Sequence, residues 1–330
     1  MKRHIAVLLV ALYSICAWSQ SDFSGSFKII PRFDVGANFY KGEKPEVDWG
    51  NSGLYTEFEQ NFSSAVKFHL LNLWVNPYPK ELYQATFHAN VPNWLPICSI
   101  EFDFSNFYVS LGKDYIGLGG FENDPSDYDF DFDQLTPFNS SMTNTQWGGM
   151  FGWVSDSENT ELSIAVTSSQ FVDRPFANGQ LSFSGIWRGN YGPLSTIWGV
   201  SAVGTQKGKY QFLATLGQRL TVGGFSATFD WFNTSYPDPF EKRVLPKGHT
   251  FHGELAYDFG GRGDVAFTGS YILAPKNDGE YSNSWLVGAK VHIYPLKSRN
   301  LKISLTGAYD NLWECWDFRA GLLYYFSFNW

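Results

Sequence analysis

The C-terminal stretch Trp316-Asp-Phe-Arg-Ala-Gly-Leu-Leu-Tyr-Tyr-Phe-Ser-Phe-Asn-Trp330 decides the fold prediction. Counting back from Trp330, every second residue is apolar as far as Trp316. In extended backbone successive side chains point to opposite faces, so these residues share one face of a strand. The opposite face carries the polar residues Asp317, Arg319, Ser327 and Asn329. The stretch therefore predicts a β-strand with one apolar and one polar face.

The same alternation recurs along the chain. Residues 27–39, 251–259, 285–293 and 301–309 each place apolar side chains at odd positions and mostly polar or small ones between them. Many strands with this pattern are typical of a transmembrane β-barrel, in which half of each strand faces lipid and half faces an aqueous lumen. This also accounts for the slightly negative mean hydropathy of −0.22. The predicted fold class is all-β, an antiparallel up-and-down transmembrane β-barrel.

Two sets of connections alternate between the predicted strands. The short set is rich in Gly, Asn, Asp and Ser, as tight turns require, and lies at 104–106, 156–160, 189–193, 222–224, 260–264 and 297–300. The longer set lies at 41–51, 75–95, 117–143, 237–247 and 276–283. Outer-membrane barrels combine short periplasmic turns with longer outer loops. We therefore expect about sixteen strands, within a range of about 14–18, with both termini on the periplasmic side.

A secreted β-sandwich or soluble barrel would show the same alternation. The distribution of aromatic residues favours the membrane barrel, because tryptophans near strand ends form interfacial girdles in outer-membrane barrels. The tryptophans concerned are Trp147, Trp153, Trp187, Trp198, Trp231 and Trp285. A helical membrane protein is excluded, since after the N-terminal segment no run of about 18 apolar residues occurs.

The N-terminal residues 1–19 predict a secretory signal peptide. Lys2 and Arg3 provide a positive start, residues 5–16 an apolar core, and residues 17–19 a small-x-small cleavage site. Lipid attachment at Cys16 is disfavoured by the bulky Ile15 before it. Cleavage would make the net charge of −8 more negative by two, and such an acidic chain is a poor binder of nucleic acid. Residues 20–330 are expected to form a single transmembrane barrel domain.

Four segments between residues 53 and 153 carry a family resemblance: Leu-Tyr-Thr-Glu-Phe-Glu at 54–59, Val-Ser-Leu-Gly-Lys-Asp-Tyr-Ile-Gly-Leu-Gly-Gly-Phe-Glu at 109–122, Asp-Tyr-Asp-Phe-Asp at 127–131 and Gln-Trp-Gly-Gly at 146–149. This part of the chain resembles outer-membrane porins of the Bacteroidetes, of the phosphate-selective porin O/P type. The resemblance implies a sixteen-stranded trimeric pore in the bacterial outer membrane, whose third outer loop folds inward. The second half of the chain fits the strand rhythm without a diagnostic motif.

The end of the last strand also resembles a known signal. Tyr324, Phe326, Phe328 and Trp330 are similar to the terminal aromatic pattern by which outer-membrane barrels enter their assembly machinery. The implied partners are outer-membrane lipid, lipopolysaccharide, the barrel-assembly machinery and two further copies of the chain. No cofactor and no nucleic-acid partner is expected.

The connection at 117–143 concentrates acidic residues. Its candidates for a pore constriction are Glu122, Asp124, Asp127, Asp129, Asp131 and Asp133. Three interpretations stay open: the loop lies in the lumen and favours cations there, it extends a strand at the outer rim, or the alternating acids bind calcium. Calcium is disfavoured because Phe132 stands where a calcium-binding EF-hand loop needs glycine.

Basic residues on predicted lumen faces would oppose these acids. They are Arg32, Lys67, Lys113, Arg188, Arg219, Lys290 and Arg319. Lys113 falls on the outward register of its strand, so we expect a bulge to rotate it inward, with a subunit interface as the alternative. Phosphate-selective porins have a lumen rich in arginine and lysine, and the acidic connection here puts that anion preference in doubt.

The predicted function is passive diffusion of ions and small hydrophilic solutes through a water-filled channel. Small inward residues such as Gly148, Gly152 and Thr228 favour an open pore over a purely structural or adhesive barrel. A barrel enzyme would need serine, histidine and a carboxylate on adjacent strands, and no serine nucleophile motif is found. Zinc at His249, His252 and Glu254 is disfavoured, since strand parity puts His249 on the opposite face. No catalytic or metal-binding residue is predicted, and Cys98 and Cys315 are expected to be free thiols.

Overall fold

The computed structural model describes residues 23–49, 52–75, 95–115, 117–122, 124, 145–170, 176, 179–206, 209–234, 248–275, 281–311 and 314–330. The predicted signal peptide and Asp127, Asp129, Asp131 and Asp133 lie outside these residues. None of the described residues forms a helix with the length and apolar character needed for a membrane span.

The described residues form one antiparallel sheet of 18 strand segments. In chain order these are β1 (Ser24–Tyr40), β2 (Glu46–Asp48), β3 (Gly53–Ser63), β4 (Val66–Val75), β5 (Ile97–Phe104), β6 (Phe107–Tyr115), β7 (Thr145–Val154), β8 (Thr160–Ser168), β9 (Leu181–Tyr191), β10 (Leu194–Gln206), β11 (Lys209–Val222), β12 (Phe225–Thr234), β13 (Gly248–Asp258), β14 (Gly263–Pro275), β15 (Tyr281–Ile293), β16 (Leu301–Asp310), β17 (Cys315–Tyr324) and β18 (Phe326–Asn329).

The sheet closes on itself at β1. One edge of β1 pairs with β3 and, further along, with the short β2, while its other edge pairs with β17 and β18. The segments β2 and β3 lie one after the other along the same edge of β1, and β17 and β18 do the same along the other edge. Each of these two pairs therefore counts as one strand, and the barrel has sixteen strands. The remaining strands each pair with their neighbours in the chain, from β3–β4 to β16–β17. The predicted fold class, an up-and-down antiparallel barrel of about sixteen strands, is confirmed.

Residues on each strand alternate between the outer surface and the lumen. On β14, for example, Phe267 is 60% exposed on the outside, while Ser270 faces inward and is buried. Aromatic pairs on the outer surface lie near both ends of the strands: Trp187 meets Trp198 toward the short-turn end, and Trp285 meets Tyr309 at the other. An apolar outer wall with aromatic borders is the surface that a bilayer requires.

The two ends of the barrel differ in their connections, as predicted. Seven turns join strands at the short-turn end, and two-residue turns such as Gly192–Pro193 and Gly223–Gly224 use glycines with positive φ. The third connection at the opposite end spans residues 116–144 and is the longest of the chain. The sequence did not predict the short connections at 64–65, 207–208 and 311–314, because they lack a distinctive run of turn residues.

Lys113 corrects one prediction. The pairings of β6 with β5 and β7 run without a register shift, so the expected bulge does not occur. Lys113 therefore stays on the outward register, opposite Cys98 and Trp147, and its Nζ donates to the Leu95 carbonyl at 2.8 Å. It does not belong to the lumen basic set. Cys98 and Cys315 are free, as expected.

Candidate functional site: a segment across the lumen

The chain that leaves β6 enters the lumen and packs against the inner wall at β9 to β12, three to six strands further round the barrel. We call residues 117–122 and 124 the lumen segment. The Leu118 carbonyl accepts a hydrogen bond from Thr215 Oγ1 on β11 at 2.8 Å, and the Gly120 amide donates to the Ile197 carbonyl on β10 at 3.1 Å. Leu118 is only 2% exposed. The first part of the predicted constriction loop therefore lies inside the barrel.

Asp230 on β12 holds the lumen segment at two points. The backbone amide of Phe121 donates to Asp230 Oδ1 at 2.9 Å, and that of Glu122 donates to Asp230 Oδ2 at 2.8 Å. Asp230 is fully buried. A carboxylate accepts N–H donors on both oxygens, and such bonds are stronger than those between neutral groups.

Glycines on both sides allow the close approach of segment and wall. Gly120 has φ +79°, and a Cβ there would lie 2.7 Å from the Phe232 ring. On the wall, a Cβ at Gly199 would lie 2.6 Å from the Leu118 carbonyl, and one at Gly217 would lie 3.0 Å from the Gly120 Cα. The inner faces of β10 and β11 therefore carry no side chain at Gly199 and Gly217, where the backbone of the segment lies against them.

Apolar and cation–π contacts complete the attachment. Phe121 packs with Ile186 on β9 and Ile197 on β10 in a buried cluster. The guanidinium of Arg219 lies 4.1 Å from the centre of the Phe121 ring, and its Nε donates to Thr228 Oγ1 at 3.0 Å. Arg219, predicted to face the lumen, therefore does so and also supports the segment.

The two described acids of the predicted constriction both lie in the lumen. Asp124 accepts a hydrogen bond from Arg188 of β9, and the backbone amide of Asp124 donates to the Phe121 carbonyl at 3.2 Å. Glu122 borders a cavity together with Asp124. Arg188 was predicted as a lumen cation. Its ion pair with Asp124 connects the predicted acidic constriction residues with the predicted basic lumen residues.

The cavity lies between the lumen segment and the short-turn end, with a volume of about 1100 Å³. All its described lining residues come from the segment, from β11 to β15 and from the turns that follow these strands. Its described lining includes six residues with a carboxyl group and two permanent cations, so acidic groups predominate. They are Glu122, Asp124, Asp230, Glu254, Asp258 and Asp264, with Arg219 and Lys290.

Part of this charge is paired within the cavity wall. Lys290 Nζ lies 2.9 Å from Glu254 Oε2, and His292 Nδ1 lies 2.9 Å from Asp264 Oδ1. In the turn after β15, the Tyr294 hydroxyl donates to Asp264 Oδ2 at 3.2 Å. Burial, with the Asp264 carboxylate as a further cause, raises the pKa of Tyr294 to about 12, so this hydroxyl keeps its proton at neutral pH.

The remaining predicted basic residues also face the lumen and also contact acids. Arg32 lies 3.4 Å from Asp34, and Lys67 lies 3.2 Å from Glu101 and 2.7 Å from Asp103. These acids compensate part of the positive charge of the predicted basic residues. The lumen is therefore less positive than the basic residues alone would indicate.

Arg319 is held between two acids from different elements. Its Nε lies 3.1 Å from Asp317 on the same strand, and its Nη1 lies 3.2 Å from Asp48 on β2. Asp48 and Arg319 meet across Gly36 of β1, where a Cβ would lie 3.0 Å from both side chains. The short β2 thus places an acid in the lumen that the sequence did not assign to a strand.

The predicted terminal signal residues end the barrel. Tyr324 closes β17, Phe326 and Phe328 are exposed on β18, and Trp330 Nε1 donates to Gln60 Oε1 of β3 at 3.2 Å. The backbone of Trp330 pairs in both directions with Gly25. The residues are thus placed at the closing seam, and their role in assembly stays a prediction.

Sequence reasoning missed the wall side of the segment contact. Asp230, Thr215, Gly199 and Gly217 were not predicted as site residues. Strand parity would have placed Asp230 in the lumen, since it lies between the outward residues Phe229 and Trp231. Its partner is more than 100 residues away in the chain, and no local pattern indicates that pairing.

Comparison with solved structures places the barrel among outer-membrane channels at the level of fold. The outer membrane channel DcaP of Acinetobacter baumannii aligns with a TM-score of 0.62 and 10% identity, covering 94% of this chain and 99% of that chain. The anion-selective porin from Comamonas acidovorans aligns with a TM-score of 0.59 and 11% identity, covering 92% and 100%. OmpT, an outer membrane protein of Vibrio cholerae in a trimer form, gives 0.60 and 11%, covering 93% and 100%.

No protein-family model and no curated protein sequence matches the chain. At such low identities the structural likeness shows the barrel fold alone.

Proposed function

We propose that this protein is an outer-membrane porin that passes ions and small hydrophilic solutes by passive diffusion. The observation that supports this best is the lumen segment, which Asp230 fixes on the inner wall beside a cavity lined with charged groups. A barrel with a narrowed polar lumen and an apolar outer wall fits a diffusion channel. The likeness in fold to DcaP and to the Comamonas porin supports the same class.

The proposal includes the address and the assembly. Residues 1–19 serve as a signal peptide, residues 20–330 form the barrel, and the terminal aromatic residues are recognised by the assembly machinery. The chain acts without catalysis. A homotrimer in contact with lipid and lipopolysaccharide is consistent with the trimer form described for Vibrio cholerae OmpT, and the phosphate-selective O/P type remains the proposed family.

The pore is proposed to prefer cations. The cavity beside the lumen segment is bordered by six carboxylates and two permanent cations, and Glu122 and Asp124 lie on its segment side. Arg188 and Arg299 pair two of these carboxylates from beyond the lining, so the acids still outnumber the cations. Carboxylates around a constriction raise the local concentration of cations and lower that of anions. This preference would distinguish the chain from the Comamonas porin, which is described as anion-selective.

Planar-bilayer recording of the purified protein tests both parts. We expect discrete channel steps, and a reversal potential in a KCl gradient whose sign indicates cation preference. Glu122→Gln together with Glu254→Gln should reduce that preference, while Glu158→Gln in the exposed turn after β7 should leave it unchanged. The absence of channel steps from folded protein would refute the channel, and an anion preference in the wild type would refute the charge argument.

The acidic run beyond the described residues has its own test. If Asp127, Asp129, Asp131 and Asp133 border the constriction, replacing all four by Asn should shift the reversal potential further toward that of an unselective pore. An unchanged potential would place the run outside the conduction path.

A further inference from the structure

A mixed cluster of histidine and carboxylates lies on the lumen face of β3 and β4, away from the segment and its cavity. Glu57 and Glu59 are two residues apart on β3, and His69 on β4 is directly opposite Glu59 in the register. One ligand atom from each of the three residues lies within 4.8 Å of the others. Glu57 and Glu59 on β3 and His69 on β4 thus direct three potential metal ligands toward the same point in the lumen.

Residues of β1 orient both carboxylates. Lys28 Nζ lies 2.8 Å from Glu57 Oε2, and Ser26 Oγ donates to Glu59 Oε2 at 3.1 Å. The other Glu57 oxygen, Oε1, lies 3.0 Å from His69 Nε2. Partners that hold one ligand atom so that another faces the metal are a regular feature of metal sites. Lys28 therefore need not be displaced for Glu57 Oε1 to bind a cation.

The separations fit a small cation with little movement. Ligands about 2.0–2.1 Å from a tetrahedral zinc ion lie about 3.3 Å from one another. The distance from Glu57 Oε1 to His69 Nε2 is already 3.0 Å, and the full set lies within 4.8 Å. Glu59 is exposed and His69 is half-buried, so water and ions in the lumen reach the cluster.

We propose that Glu57, Glu59 and His69 bind a divalent transition-metal cation such as Zn²⁺ inside the barrel. One imidazole and two carboxylates suit zinc better than magnesium or calcium, which prefer a shell made entirely of oxygen ligands. Three protein ligands leave at least one position for water. The site binds its ion reversibly from the lumen, and the proposal does not depend on what else passes through the barrel.

Zinc titration of the folded protein in detergent, with a competing chromogenic chelator, tests the site. We expect one strongly bound Zn²⁺ per chain, a loss of affinity of at least tenfold in His69→Ala and in Glu59→Gln, and no change in Glu101→Gln. Glu101 is the matched control, because it is a lumen carboxylate on the next strand that pairs with Lys67. Heat-modifiable electrophoretic mobility verifies that each variant is folded.

Two results would overturn the site. One is zinc binding that is equally strong in His69→Ala and Glu59→Gln, which would put the ion elsewhere. The other is displacement of zinc by a hundredfold excess of Mg²⁺, which would show an unselective acidic surface without a histidine ligand. Because binding is measured without any conductance, a protein that forms no channel steps can still bind zinc, and the two proposals fail independently.

Discussion

Asp230→Asn should loosen the lumen segment while leaving the barrel folded. Asparagine keeps one carbonyl oxygen, so one of the two amides of Phe121 and Glu122 would retain an acceptor and the other would face an N–H₂ group. A hydrogen bond to a charged group contributes about 1.5–3 kcal/mol, and its loss makes opening of the segment about 10–150 times more frequent. The change acts locally, because the strand pairings of β12 involve the backbone only.

Hydrogen exchange measured by mass spectrometry on folded protein in detergent is the direct assay. The amides of residues 117–124 should exchange about 10–150 times faster in Asp230→Asn, since the opening equilibrium changes about tenfold for each 1.4 kcal/mol lost. Thr215→Val is a graded comparison: it removes the neutral bond to the Leu118 carbonyl, worth about 0.5–1.5 kcal/mol, together with a longer contact of 3.4 Å to the Gly199 carbonyl within the wall. It should accelerate exchange about 2–10-fold. Peptides from β13 to β15 should be unaffected in both variants.

Unchanged exchange in residues 117–124 of Asp230→Asn would refute the reasoning, because the amides would then be protected by something other than this carboxylate. Faster exchange throughout the barrel would also refute it, because the effect would then be global unfolding.

Three further substitutions probe the same lumen. Arg188→Gln releases Asp124 from its ion pair and should move the reversal potential toward stronger cation preference; a move toward anions would contradict the assigned pairing. Gly120→Val places a branched side chain against the Phe232 ring where φ is +79°, and should increase open-channel conductance or its noise by undocking the segment, with unchanged current as the contrary result. Arg319→Met leaves the acids Asp48 and Asp317 without their shared partner and should lower barrel stability by up to about 3 kcal/mol, read as a lower temperature of the heat-modifiable transition; an unchanged transition would show that lumen water compensates.

The fold was largely predictable from the sequence because a barrel wall is a repeated local pattern. Each strand, such as β13 with Phe251 outside and His252 inside, shows its two faces through a period of two residues. The order of the strands in the closed barrel is also predictable, because each strand pairs with its neighbours in the chain. The prediction for Lys113 is wrong because it treats an outward lysine as too costly, whereas the Leu95 carbonyl lies within reach of its ammonium group.

The site was only partly predictable, because it depends on contacts between distant parts of the chain. Parity put Arg188 in the lumen and the acidic connection suggested Asp124, yet their pairing required the path of the segment across the barrel. The close approach of Gly120 to Gly217 likewise cannot be predicted from the residues that flank either glycine. The cluster at Glu57 and His69 arises from the register between β3 and β4, which the alternation pattern leaves undetermined.

The path of the lumen segment has a consequence for where solutes travel. The segment leaves the wall at β6 and is attached at β9 to β12, so it forms a chord across the circle of strands and divides the cross-section unequally. The described residues that line the adjoining cavity come from β11 to β15 and not from β7 or β8, which lie behind the chord. Among the described residues, the open space beside the segment is therefore off-centre and lies against β11 to β15. A solute that enters this space has the same few strands beside it from the lumen segment to the short-turn mouth.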